Sequence, residues 1–231
     1  MTLDLLHGDC LDLLPRLPAQ SVDMILCDLP YGTTQNKWDS VIPFDRMWAE
    51  YWRVTKPGAA VVLTAAQPFT SALVMSQVAN YSHCWVWRKN NATGHLNARR
   101  QPMREHEDVL VFSKGPPPYH PQGLVPFGKM TRRGNNGGNF GVSGSENFQE
   151  STNYPRTVLG FATDGKLHPT QKPVALCDYL IRTYTQPGDV VLDNCMGSGS
   201  TGVAALAAGR GFIGMERDEG FFQTAAARIL A

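Results

Sequence analysis

The run "SVDMILCDLPYG" ends a buried-looking apolar segment in Asp28, Pro30 and Tyr31: an acid, a proline and a planar ring within four residues. Asp-x-Pro alone is an ordinary turn, so its chemistry has to be judged by what else gathers near it. Two further carboxylates stand where apolar runs stop: Asp9, after the first, and Glu216, after "GFIGM".

A glycine loop lies between them in space if those runs are neighbouring strands. "VVLDNCMGSGSTG" holds Gly197-Ser198-Gly199-Ser200-Thr201-Gly202, a literal G-x-G-x-x-G, and Glu216 follows at the distance expected of a ribose-binding acid. A nicotinamide dinucleotide enzyme is one reading. Against it, the apolar run ends in Asp193, and Asn194, Cys195 and Met196 intervene before the loop, setting negative charge where a pyrophosphate would sit. An acid there suits a cationic or zwitterionic ligand, such as an amino-acid moiety bearing a sulfonium. A P-loop is excluded because no Gly-Lys-Ser/Thr follows.

These residues need a scaffold, and the pattern supplies one. Strands are expected at Thr2–Leu6, Val22–Cys27, "AAVVLT", "CWVW", "DVLVFS", Val190–Asp193 and Phe212–Glu216. Helices are expected between them: a short one at Cys10–Leu14, "PFDRMWAEYWRV" with one apolar face, Gln67–Val78, a helix after Pro173, Gly199–Ala208 and the carboxyl-terminal segment. Seven strands interleaved with helices predict an α/β fold, an open, mostly parallel, Rossmann-like sheet covered on both faces. Ligands then bind beyond the carboxyl ends of the strands, where Asp9, Asp28 and Glu216 converge.

From Lys114 to about Lys166 the regularity stops. "GPPPYHPQGLVPFGKMTRRGNNGGN" is rich in Pro, Gly and Asn and has no period, so 114–166 reads as an inserted functional segment between halves 1–113 and 167–231.

Composition narrows the class. Of 231 residues 42% are hydrophobic, enough for a core, and no apolar run is long enough to span a membrane. The amino terminus lacks a basic and apolar leader, so a cytoplasmic location is expected. Five scattered cysteines form no metal-ligand spacing; no metal is expected. "EHED", around His106, is read as charged residues entering a strand. The net charge of +1 conceals a basic middle: residues 51–145 carry eleven bases and three acids, which points to a polyanion.

Taken together, "DLPYG", "HPTQKP" and "DNCMGSGSTG…GME" resemble the amino-group DNA methyltransferases that use S-adenosylmethionine, in the motif order of their permuted β group. The resemblance covers the sheet-forming chain and leaves about 114–166 unmatched. It implies a catalytic set of Asp28, Pro30 and Tyr31. It implies cofactor contacts from Asp9, Cys10, Asp28, His168, Thr170, Lys172, Asp193, Gly197, Gly199, Ser200 and Glu216. Among these, Asp9 would meet the adenine amine, Glu216 the ribose, Asp193 the methionine part, and Lys172 would countercharge its carboxylate.

The activity implied is methyl transfer to adenine N6 in double-stranded DNA at a specific sequence, with the base flipped from the duplex. The Asp28 carboxylate and the Pro30 carbonyl would accept the amine's two N–H groups while Tyr31 stacks on the base. Arg88, Lys89, Arg99, Arg100, Arg104, Lys129, Arg132 and Arg133 would meet phosphates, and 114–166 would read bases. Asp at the head of the tetrad favours adenine; cytosine N4 offers the same donors and is the alternative. Other readings are the oxidoreductase, an inactive DNA-binding relic, and methylation of RNA or a small molecule. No membrane partner is expected, and a homodimer is compatible with the sequence. Two departures stand out: Leu29 replaces the tetrad's first proline, and Asp193-Asn194-Cys195 replaces Asp-Pro-Phe. The smaller Cys195 is expected to pack less well beside the methionine part.

Overall fold

The computed structural model describes residues 2–33, 39–132, 146–164 and 171–231. In chain order it runs β1 (Leu3–His7), α1 (Cys10–Leu13), β2 (Val22–Asp28), α2 (Phe44–Val54), β3 (Thr55–Ala65), α3 (Phe69–Ser76), β4 (Tyr81–Thr93) and β5 (Arg104–Phe112). It continues with β6 (Val125–Arg132), β7 (Glu146–Thr152), β8 (Val158–Gly160), α4 (Val174–Tyr184), β9 (Val190–Asp193), α5 (Ser200–Ala207), β10 (Gly211–Glu216) and α6 (Glu219–Ile229).

Residues 1–120 and 157–231 form one compact unit around a sheet ordered β1-β10-β9-β2-β3-β5-β4-β8. Every neighbouring pair is parallel except those made by β5, which runs against β3 and β4. Strand β2 shows why the centre is apolar throughout. Met24 and Leu26 point into one core layer with Leu176, Leu180 and Ile181 of α4. Ile25 and Cys27 point into the other, with Met47, Tyr51 and Val54 of α2 and Leu73 of α3. Both faces of the strand are therefore buried, as parallel sheets require.

The loop-facing helix α5 can lie close to its neighbours because it is built from small residues. A Cβ on Gly202 would stand 2.6 Å from Ile229 Cδ1 and 2.7 Å from Phe212 Cε1. Gly199 is similarly crowded: its added Cβ would meet Ile229 Cδ1 at 2.9 Å, and its φ of 81° suits glycine.

Residues 121–156 form a second compact unit, in which β6 and β7 pair antiparallel. The segment expected to be irregular, 114–166, overlaps this unit. Its start, 114–120, belongs to the first unit; it contains a two-stranded ribbon; and β8, an eighth strand on the main sheet, lies in its tail. Periodicity could not disclose the ribbon, because Val125, Met130 and Phe148 are exposed and no core dictates alternation. Among the described residues no helix is long and apolar enough to cross a membrane.

Candidate active site

The carboxyl edge of the sheet opens into a cleft of about 270 Å³ within the first unit. It gathers Asp9 and Cys10 after β1, Asp28 at the end of β2 with Pro30 and Tyr31 beyond it, Lys172 before α4, Asp193 at the end of β9 with Cys195 beyond it, Gly197 before α5 and Ser200 at its start, and Glu216 at the end of β10. Four strand ends thus supply residues that lie far apart in sequence. His168 and Thr170 lie outside the described residues.

The β10 side is built to present a carboxylate. Gly197 N–H donates to Glu216 Oε2 at 2.9 Å and Asp218 N–H to Oε1 at 2.8 Å. Both oxygens are oriented, and each keeps a lone pair for an incoming hydroxyl. Asp9 caps α1 through Leu11 N–H at 2.9 Å, which fixes its side chain at the cleft. Gly199 is absent from the cleft lining; the side a Cβ would occupy is closed by Ile229 and Ala225 of α6.

Asp193 is buried at the tip of β9. Burial raises its carboxyl to about 6, although hydrogen bonds from Thr201 and the Cys195 amide oppose the rise. A buried carboxylate held in this way is short of positive charge, which an ammonium or sulfonium ligand would supply. The Asn194-Cys195 departure has its own logic. Tyr51 Oη donates to Asn194 Oδ1 at 2.5 Å beneath the cleft, anchoring the loop from α2. Leu29, the other departure, is buried in the α2-side core. Burial pushes the Cys27 thiol up to about 12, so it is a core group rather than a nucleophile.

At the β2 end, Asp28 is held on both oxygens. Tyr31 Oη donates to Oδ1 at 2.9 Å, Thr64 Oγ1 donates to the same oxygen, and Lys172 Nζ lies 2.5 Å from Oδ2. Thr64 faces Asp28 because the two are partners across β2 and β3. Burial, with the charges of Asp28 and Glu107 beside it, holds the Tyr31 phenol well above its ordinary pKa, so it donates. The turn that places Tyr31 is clamped by Asp39, which accepts from Gly32 N–H at 2.8 Å and Thr33 N–H at 2.9 Å. The Tyr31 ring stacks on Phe69 at 5.1 Å between centroids.

Two basic residues of the expected set pair with part-buried carboxylates. Lys172 directs its ammonium to Asp28 and, at 3.1 Å, to Glu107. Burial would lower its pKa, but these two carboxylates outweigh that and raise it. Lys89, expected on phosphates, pairs instead with Glu107 at 2.5 Å and lies over Trp87. The reason is electrostatic: a carboxylate as buried as Glu107 requires countercharge. Glu107, Thr64 and Asp39 were not among the expected site residues. For Glu107 the signal was present in "EHED", where one acid had to face the sheet's carboxyl edge.

The other described bases expected to meet phosphates are exposed, except Arg132, which is placed only by its strand. Arg88, Arg99, Arg100 and Arg104 lie on the β4–β5 arm, and Lys129 lies on β6 in the second unit. Since β4 runs parallel to β2 and β3, the arm leaves the sheet at the edge that carries Asp28. Arg132 lies at the end of β6, and Arg133 falls outside the described residues.

Comparison with known proteins agrees with this arrangement. Residues 22–227 match the N6/N4 family described as DNA methylase. The DNA adenine methyltransferase YhdJ of Escherichia coli K12 is 29% identical over 97% of this chain and 82% of its own length. Among solved structures, the M1.HpyAVI–SAM complex superposes with a TM-score of 0.70 at 24% identity, covering 98% of this chain and all of that one. The cytosine-N4-specific PvuII DNA methyltransferase gives 0.68 at 16% identity, over 97% and 85% of the two chains; these likenesses establish the fold. With nearly the whole sheet inside the family match, the chain belongs to the N6/N4 DNA methylase family.

Proposed function

We propose that this DNA methyltransferase uses S-adenosylmethionine to methylate the N6 amine of adenine, and that Asp28 accepts that amine. The observation that carries the reading is the joint presence in one cleft of Asp28, Asp193 and Glu216. The donor set fits the cofactor. Glu216 would take the ribose hydroxyls on its two oriented oxygens, Asp193 the ammonium of the amino-acid part, and Asp9 the adenine amine. When bound, S-adenosylmethionine supplies an electrophilic methyl on a sulfonium.

The protein's task is then to make a poor nucleophile attack. An exocyclic amine shares its lone pair with the ring. Asp28, with the Pro30 carbonyl, would bind its N–H groups and favour the tetrahedral geometry that frees the pair. The Asp28 charge stabilises positive charge developing on nitrogen, and holding the partners together supplies much of the rest. Tyr31 supports Asp28 through its hydroxyl and offers its ring to the extruded base.

Adenine is favoured over cytosine by Asp28 at the head of the motif and by the name of the 29%-identical relative. The duplex would be held by Arg88, Arg99, Arg100 and Arg104 on the arm, and by Lys129 with Arg132 and Arg133 around the 121–156 unit, which would read bases.

The test is incubation with unmethylated DNA and methyl-labelled cofactor, followed by digestion to nucleosides. Label in N6-methyl-2′-deoxyadenosine, absent with Asp28→Ala although that variant still binds cofactor, is expected. Label in N4-methylcytosine would replace the adenine assignment, and full activity of Asp28→Ala would end the reading.

A further inference from the structure

The ammonium of Lys172 occupies the place given above to the substrate. Lys172 Nζ contacts Asp28 Oδ2 at 2.5 Å and stands over the Tyr31 ring, 5.8 Å from its centroid. These are the two groups assigned to the target base. A second carboxylate lies within reach: Glu107 Oε2 is 3.1 Å from the same nitrogen. That oxygen is buried and receives no aligned hydrogen bond, whereas Oε1 is taken by Lys89 at 2.5 Å.

We infer that Lys172 is a placeholder for the target amine and that Glu107 is a positioning residue, receiving the Lys172 ammonium when the base arrives and leaving Asp28 Oδ2 to the substrate. The inference rests on the reading of Asp28 as the amine's acceptor.

Two physical arguments lead to it. Charge developing on the target nitrogen is stabilised by Asp28 only to the extent that no other cation already neutralises that carboxylate. An ammonium held at 2.5 Å would cancel much of the effect, so Lys172 has to retreat before methyl transfer. Retreat into a buried site without a partner would strand an uncompensated charge. Glu107 removes that obstacle by exchanging one ion pair for another. Its open Oε2 can complete a hydrogen bond to Lys172, while Lys89 keeps Oε1 fixed. Before the base enters, Lys172 pairs with Asp28 Oδ2.

A plain structural ion pair and a receiving site differ in how their losses combine. The experiment uses the full chain, saturating S-adenosylmethionine and saturating unmethylated DNA, and measures the single-turnover rate of methyl transfer. Glu107→Gln keeps the side chain's shape but removes the receiving charge, so the rate should fall by about tenfold or more while cofactor affinity stays within about twofold. Adding Lys172→Met to Glu107→Gln removes the placeholder, and the double variant should then be several times faster than Glu107→Gln alone. Glu107→Asp, which retains the charge on a shorter stem, should fall between wild type and Glu107→Gln; if Glu107→Gln does not fold, this variant and its pairing with Lys172→Met carry the test.

A Glu107→Gln enzyme at the wild-type rate would overturn the inference, as would a double variant no faster than the single one. Asp28→Asn separates this from failure of the underlying reading. If Asp28→Asn turns over normally, the acceptor assignment is wrong. If it is inactive while Glu107→Gln is normal, only the role of Glu107 is lost.

Discussion

Gly197 and Glu216 are joined by a 2.9 Å hydrogen bond that ties the loop after β9 to the tip of β10. The glycine loop therefore does more than make room for a ligand: its backbone aims the neighbouring carboxylate. A shorter side chain at 216 loses that aim, and a neutral one loses the charge.

Glu216→Gln should weaken binding of S-adenosylmethionine by about ten- to a hundredfold, since charge-assisted hydrogen bonds contribute about 1.5–3 kcal/mol. Titration calorimetry measures this directly. The maximal rate at saturating cofactor should change far less than the affinity. An unaltered dissociation constant would remove Glu216 from the site.

Cofactor affinity should also depend on pH through Asp193. Its carboxyl is raised by burial from 3.8 to about 6, and only the ionised form can pair with an ammonium. Affinity is expected to fall as the pH drops through about 6, and Asp193→Asn should abolish that dependence while binding weakly throughout.

The same residue acts on stability in the opposite direction. A carboxyl that protonates more readily folded than unfolded lends stability that is complete below about pH 4 and is lost as the pH rises through about 6. At pH 8 the free protein should therefore melt at a higher temperature as Asp193→Asn than as wild type. Thermal melts at pH 5 and pH 8 without cofactor would show a larger gain at the higher pH.

Tyr31 has two separable parts. Tyr31→Phe keeps the ring against Phe69 but deletes the donor to Asp28, and a single hydrogen bond to a charged group is worth about 1.5–3 kcal/mol at most. Methyl transfer should slow by about tenfold, whereas Tyr31→Ala should lose nearly all turnover. Neither should alter cofactor affinity by more than about twofold. Equal rates for the two variants would show that the hydroxyl alone matters.

Gly202 tests the packing beneath the loop. Its added methyl would overlap Ile229 and Phe212, so Gly202→Ala should cost about 1–3 kcal/mol of stability. Ile229→Val made in the same chain should recover part of it. Denaturant unfolding of the two single variants and the double would reveal the non-additivity.

Much of this molecule is legible along the chain. β2, β3, β9 and β10 are apolar without alternation because helices cover both sheet faces, and α2 shows its core stripe in Phe44, Met47, Trp48, Tyr51 and Trp52. The acids at the strand ends stand out because a buried run that stops in a carboxylate is chemically unusual. The ribbon β6–β7 and the edge strand β8 were hidden for the opposite reason. They bury little, so nothing forces a pattern on their sequence.

The sequence by itself determined the class of sheet, the end of it at which ligands gather and the residue types available there, because burial and strand direction leave their mark locally. Only the tertiary structure decided the partners. Lys89, Glu107, Lys172 and Asp28 come from β4, β5, the approach to α4 and β2, and their charges pair across gaps of up to 144 residues. A cation's partner depends on distance and burial in three dimensions, and neither is written in the spacing of one chain.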